Sequence, residues 1–180
     1  MTMTTDHAGP MRVLFLCTRN SARSQMAEAL LVHEGGVRFD VASAGATPAT
    51  FVDPMTFEVL DDLGIDWHAH RPKGFDAVQD TEWDLVVTVC DRAREVCPVL
   101  PGRPMFAHWS LEDPEDQFGT PVQRRHYFLR SARLVHDCIR QLVALDAAEW
   151  REDRVAACFR TSVTERDASH GSATFRDGKD

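Results

Sequence analysis

The sequence predicts an α/β domain built on a parallel sheet. Three observations point there. MRVLFLC (11–17) and DLVVTVC (84–90) are short, nearly continuous apolar runs, the mark of strands covered on both faces. Stretches with apolar residues at helical spacing alternate with these runs. Glycine and proline punctuate the joints, at Gly35-Gly36, Gly45, Pro54 and Gly64. The expectation is a single domain with a four-stranded parallel sheet flanked by helices on both faces and right-handed crossovers.

Residues 1–10 are small and polar and are expected to be disordered. Residues 11–17 form the first strand. From Ser21 to about residue 34, Met26, Ala27, Leu30 and Leu31 recur at helical spacing, and Gly35-Gly36 closes that helix. VRFDVASAG (37–45) alternates as a second strand. Asp53-Pro54 supplies an N-cap and a proline at the first helical position. This helix buries Thr56, Val59, Leu60 and Leu63 and stops at Gly64. A loop with His68, His70, Arg71 and Lys73 follows. Residues 84–90 are the third strand, ending like the first in cysteine, and PMFAHW (104–109) is the fourth. Thr120, Pro121 and Gln123 then open a long helix with a capping box. Phe128, Ala132, Val135, Ile139, Leu142 and Val143 make its buried stripe, and it fades near Trp150. The domain is thus expected over 11–150. Residues 151–180 are expected to be a largely disordered extension, polar from about residue 160.

Composition narrows the function. The formal net charge of −8 argues against a nucleic-acid binder, while leaving room for a local cationic pocket. No apolar run approaches the ~20 residues that span a bilayer, and MTMTTDHAGP lacks the basic and apolar parts of a secretory signal. A cytoplasmic protein without membrane partners is the expectation. The five cysteines are Cys17, Cys90, Cys97, Cys138 and Cys158. An odd count without an export signal implies free thiols rather than a disulfide framework. Their spacing fits no common zinc pattern, so neither a metal nor another cofactor is expected. Cys138 reads as core packing and Cys158 as incidental.

The stretch FLCTRNSARSQM (15–26) carries the chemistry. Cys17 ends a buried strand, and a tight loop leads straight into a helix. In such sheets ligands bind beyond the carboxyl ends of the strands. Backbone N–H groups at a loop-to-helix joint converge on an anion. The loop Cys17, Thr18, Arg19, Asn20, Ser21, Ala22 and Arg23 is therefore an oxyanion cradle, with the guanidinium of Arg23 matched to a tetrahedral anion. The same positive field should make Cys17 a thiolate and a nucleophile. Ser24 is placed to hydrogen-bond the sulfur, and Asn20 to brace the loop.

CTRNSARSQMAEALL resembles the C-x5-R-S loop and first helix of the low-molecular-weight tyrosine phosphatase fold, and is closest to the thioredoxin-coupled arsenate reductases built on it. SAGATPA (43–49), GID (64–66), TVCDRAREVCPVLPG (88–102) and HWSLEDP (108–114) are similar to that family too. The resemblance covers roughly residues 11–146 and implies reduction of arsenate to arsenite, with phosphate and sulfate as competing oxyanions and thioredoxin as reductant. That two-electron reduction needs a second thiol to attack the first sulfur and a third to move the disulfide outward. Cys17, Cys90 and Cys97 fit these roles in order. A helix from Cys90 to Cys97 would hold them about 10 Å apart, beyond the ~7 Å limit for a disulfide, so the intervening segment is expected to loop out on oxidation. The resemblance carries the general-acid role onto Asp113, before Pro114.

The sequence departs from the family pattern at three places. Arg19 stands where glycine is usual, which would be strained if that position needs a positive φ. Ala22 replaces a common cysteine. Asn20 and Ser43 match a potassium site of some members, but Arg71 and Lys73 follow, so a side-chain cation is expected in place of the metal. The alternative reading is a phosphatase for phosphotyrosine or small phosphoesters, whose aromatic rim would have to come from Trp67, His68, His108 or Trp109.

Overall fold

The computed structural model describes residues 9–146 and 149–171. The disorder expected for residues 1–10 concerns mainly residues outside that span. Four strands form one parallel sheet in the order β2-β1-β3-β4: β1 (Met11–Cys17), β2 (Phe39–Gly45), β3 (Leu85–Thr88) and β4 (Met105–His108). All of residues 13–17 and 85–88 are buried. Successive side chains point to opposite faces, so both faces of the two central strands are covered, as the unbroken apolar runs imply.

The chain steps from β1 outward to β2, then returns to β3 on the other side of β1. The carboxyl ends of β1 and β3 are therefore the topological switch point, the usual ligand crevice of an open α/β sheet. The ladder carries on one step past β3, where the amide of Val89 donates to Leu16 O at 2.8 Å. Cys17 and Cys90 are thereby brought to the same crevice.

Five helices complete the domain: α1 (Arg23–Gly35), α2 (Pro54–Asp61), α3 (Asp91–Glu95), α4 (Pro121–Val143) and α5 (Glu152–Gly171). Helix α1 packs on β1, β2 and α4, and residues 23–31 are buried without a break. The caps are those the sequence predicts. Asp53 accepts from the Met55 amide at 2.9 Å, and Thr120 and Gln123 form a reciprocal capping box at the start of α4. Phe128, Ala132, Val135, Ile139 and Leu142 are buried along α4, as is Cys138 beside them.

Several boundaries differ from expectation. A 3₁₀ turn over Gly36–Arg38 delays β2 to Phe39. Strand β3 ends at Thr88, and Cys90 lies beyond it as the N-cap of α3, its sulfur accepting from the Ala93 amide at 3.4 Å. Helix α4 stops at Val143 rather than near Trp150.

The main difference concerns residues 151–180, read from sequence as a largely disordered extension, of which 172–180 lie outside the described residues. Residues Glu152–Gly171 are helical. Val155, Cys158 and Ser162, at i, i+3 and i+7, form a buried stripe, so Cys158 is a packing residue of this helix and not an incidental thiol. The stripe is tied down by Trp109 Nε1 donating to Val155 O at 3.2 Å and by Gln141 Nε2 donating to Ser162 Oγ at 2.8 Å. Among the described residues no helix is long and apolar enough to cross a membrane.

Candidate active site

The loop between β1 and α1 is held by its own carbonyls. The oxygens of Cys17, Thr18, Arg19 and Ser21 accept from the amides of Ala46, Thr47, Ala49 and Asp53, at 3.1, 2.8, 2.8 and 3.0 Å. In a trans peptide the N–H points opposite to the C=O. With the carbonyls turned toward the 46–53 segment, the following amides face the other way, into the crevice. Gly45 makes this approach possible: a Cβ there would sit 2.8 Å from both Thr18 O and Asn20 N. Asn20 is the turning point of the loop, with φ of 51°. Among the described non-glycine residues it alone has a positive φ, so Arg19 carries no such strain, contrary to the concern its replacement of glycine raised.

Cys17 is buried, and its sulfur is ringed by donors. The Asn20 amide donates to Sγ at 3.0 Å, and Ser24 Oγ lies 2.9 Å away. Ser24 Oγ accepts from Asn20 Nδ2 at 2.8 Å, and its own proton is free to go to the sulfur. Burial nevertheless dominates. Desolvation pushes the Cys17 thiol up, against the opposing pull of Ser24, the Asn20 amide and Arg23. This desolvation works against the thiolate expected there, and Arg23 is itself engaged: Nη2 is paired with Asp113 Oδ2, and Nη1 donates to Leu111 O at 3.0 Å.

Asp113 is held from two sides, by Arg23 and by the Glu115 amide, which donates to Oδ1 at 3.1 Å. Thr18, Arg19, Arg23, Cys90, Arg92, Asp113 and Asp116 line an open hollow of about 400 Å³. Three guanidinium groups thus face two carboxylates in a chain of net charge −8. The structure brings Cys17, Arg23, Ser24 and Asp113 together as the sequence predicts. Cys90 stands at the same mouth, its sulfur 3.3 Å from Thr18 Oγ1. Cys97 does not reach it: α3 intervenes, and Cys97 is partly buried at its far side, with burial raising its thiol. All five cysteines are free.

Behind the loop lies a polar network that the sequence only half revealed. Asn20 Nδ2 also donates to Ser43 Oγ at 2.8 Å, Ser43 donates to Glu28, and Lys73 Nζ donates to Glu28 at 3.2 Å. Lys73 supplies the cation here. Arg71 instead bonds the carbonyls of His68 and His70. Gln25 donates to Asn20 Oδ1 at 3.0 Å and accepts from Trp67 Nε1 at 2.8 Å. Glu28, Gln25 and Glu115 were missed. Glu115 accepts from Ser21 Oγ, and burial raises its carboxyl. Among the described residues no group of three or more His, Cys, Asp or Glu side chains could hold a metal. The aromatic candidates lie elsewhere. Trp67 and Trp109 are buried, His68 pairs with Asp61, and His108 bonds Thr88 and Asp91.

Comparison with known proteins agrees with this geometry. Residues 12–144 match the low molecular weight phosphotyrosine protein phosphatase family. An arsenate reductase of Halalkalibacterium halodurans is 37% identical over 118 residues, covering 66% of this chain and 84% of that protein. A thioredoxin-dependent arsenate reductase of Corynebacterium glutamicum superposes with a TM-score of 0.50 at 30% identity, covering 74% of this chain and 64% of that one. A low molecular weight protein tyrosine phosphatase from T. tengcongensis superposes with a TM-score of 0.60 at 26% identity, covering 74% and 97%.

Proposed function

We propose, for this chain, which belongs to the low molecular weight phosphotyrosine protein phosphatase family, the reduction of arsenate to arsenite by Cys17, Cys90 and Cys97, recycled by thioredoxin. The observation that carries this reading is the placement of the second thiol. Cys90 shares the oxyanion mouth with the loop that holds Cys17, 3.3 Å from Thr18 Oγ1. Phosphate-ester hydrolysis has no use for a thiol there.

The oxyanion binds the inward amides and takes the Arg23 fork, displacing Asp113 from Nη2. The Cys17 sulfur attacks arsenic, and its thiol proton, relayed by the freed Asp113 carboxylate, goes to the departing oxygen, which leaves as water. Cys90 then attacks the Cys17 sulfur. The sulfur–arsenic electron pair stays on arsenic, which falls from the +5 to the +3 state and leaves as arsenite. Cys97 attacks Cys90, freeing Cys17 and moving the disulfide to Cys90–Cys97. That last bond requires Cys90 and Cys97, which flank α3, to come within disulfide reach, so the segment between them has to rearrange.

The test is NADPH oxidation coupled through thioredoxin and thioredoxin reductase, with and without arsenate. Arsenate-dependent turnover is expected in the wild type and lost in Cys97→Ser. No turnover in the wild type, with hydrolysis of an aryl phosphate instead, would establish the phosphatase. Among the described residues lining the mouth there is no aromatic side chain, which weighs against phosphotyrosine.

A further inference from the structure

Helix α5 lies past residue 144, where the family match ends, yet it is built into the domain. Its first turn is clamped to the outer edge of the sheet, with Glu152 accepting from the Phe106 amide at 3.0 Å. From that position Glu152, Asp153, Ala156 and Arg160 wall a groove whose other lining includes Cys97 and Phe106. Cys97 and Phe106 also line a second hollow, with Val99. The third thiol therefore sits where two hollows meet, and one of them owes its wall to α5.

The surroundings of Cys97 are those of a contact surface. Val96, Val99 and Phe106 are 49%, 99% and 44% exposed. Arg94, Glu152, Asp153 and Arg160 place charges of both signs around them. Apolar side chains at the centre and charges at the rim are the make-up of a protein interface. A small thiol needs no such platform.

Resting on the relay reading above, we propose that α5 forms one wall of the docking surface for a protein dithiol of the thioredoxin class. The helix thereby selects the reductant of the Cys90–Cys97 disulfide. A thiolate of the reductant attacks one sulfur of that disulfide and forms a mixed disulfide. Its second thiol then displaces the enzyme sulfur. Two electrons and two protons pass to Cys90 and Cys97, and the reductant leaves as its own disulfide.

Ala156→Trp obstructs the wall with bulk, and Ala156→Lys does so with a residue that any helix tolerates. Three readings separate the possibilities: arsenite released by fully reduced enzyme with no reductant present, turnover with thioredoxin, thioredoxin reductase and NADPH, and turnover with dithiothreitol. Both variants are expected to release arsenite as the wild type does and to keep the dithiothreitol rate. Their kcat/KM for thioredoxin should fall at least about tenfold in Ala156→Trp, the loss typical of a contact at an interface centre. An unchanged thioredoxin kcat/KM in both overturns the inference. So does an equal loss with dithiothreitol, which would make α5 a support for the relay segment. A wild type that releases no arsenite without reductant fails the relay reading itself, and the docking inference with it.

Discussion

Ser24 is the most informative side chain to remove. Its hydroxyl lies 2.9 Å from the Cys17 sulfur and is turned to donate by the Asn20 amide group on its other side. It is also the largest of the influences that oppose burial at Cys17. Ser24→Ala deletes that donor and little else, since Asn20 Nδ2 keeps Ser43 as an acceptor at 2.8 Å. A hydrogen bond to a charged group contributes about 1.5–3 kcal/mol. Losing it lowers the thiolate fraction at neutral pH by roughly ten- to hundredfold. The direction is fixed: the donor stabilises only the anion, so its removal moves the Cys17 titration upward.

The assay is the alkylation rate of Cys17 by iodoacetamide against pH, followed on the peptide that carries Cys17. Circular dichroism of the variant guards against a folding defect. The rate at neutral pH should drop within that range, and the inflection should move to higher pH. An unchanged profile would mean that the serine accepts from the thiol instead of donating to it, and the site would have to hold its thiolate by Arg23 and the Asn20 amide alone.

Three further outcomes are expected. Because Lys73 Nζ already occupies Glu28 beside Ser43, turnover should be equal in KCl and NaCl at fixed ionic strength; a potassium-specific rise would show that the lysine does not stand in for a metal. Val155 is fully buried in α5, so Val155→Ala should lower the unfolding free energy by about 1.5–3 kcal/mol in urea titration; no change would restore the reading of a disordered tail. Burial raises the thiols of Cys17, Cys97 and Cys158 above their ordinary 9.0. The unfolded chain then sheds these protons first, so their stabilisation is complete below about pH 9 and is lost as pH rises further. Cys97→Ala with Cys158→Ala should flatten the alkaline fall of the urea midpoint, and an identical fall in wild type and double variant would refute the attribution.

The parts of the fold legible in the sequence were those with a local signature. Strands β1 and β3 announce themselves as unbroken apolar runs, and α4 by Thr120, Pro121 and Gln123. The oxyanion loop is legible because its chemistry is local, from Cys17 to Ser24. Asp113 stands ninety residues from Arg23, and only resemblance linked the two. Glu28 and Gln25 escaped because residues 23–31 of α1 are buried without a break, so no amphipathic contrast marks a polar residue as functional. Helix α5 escaped because its stripe of Val155, Cys158 and Ser162 is sparse and only weakly apolar. The strain expected at Arg19 falls on Asn20, a residue type that tolerates the left-handed region.

Burial works against the Cys17 thiolate, yet the arrangement suits an oxyanion substrate. Arg23 is engaged by Asp113, and the sulfur is buried. Both features work against the Cys17 thiolate. An incoming dianion competes with Asp113 for the guanidinium and brings a basic oxygen to the inward amides. The thiol proton can pass to that oxygen without any change in net charge. Substrate binding then favours the nucleophile where there is something to attack, and Asp113 is released to carry a proton at the same moment. In this view the Arg23–Asp113 pair is the device that couples occupancy to activation. Asp113→Asn should therefore lower turnover while raising the alkylation rate of Cys17 measured without arsenate, because the guanidinium would no longer be neutralised. A variant that lost turnover with no gain in thiol reactivity would confine Asp113 to proton delivery.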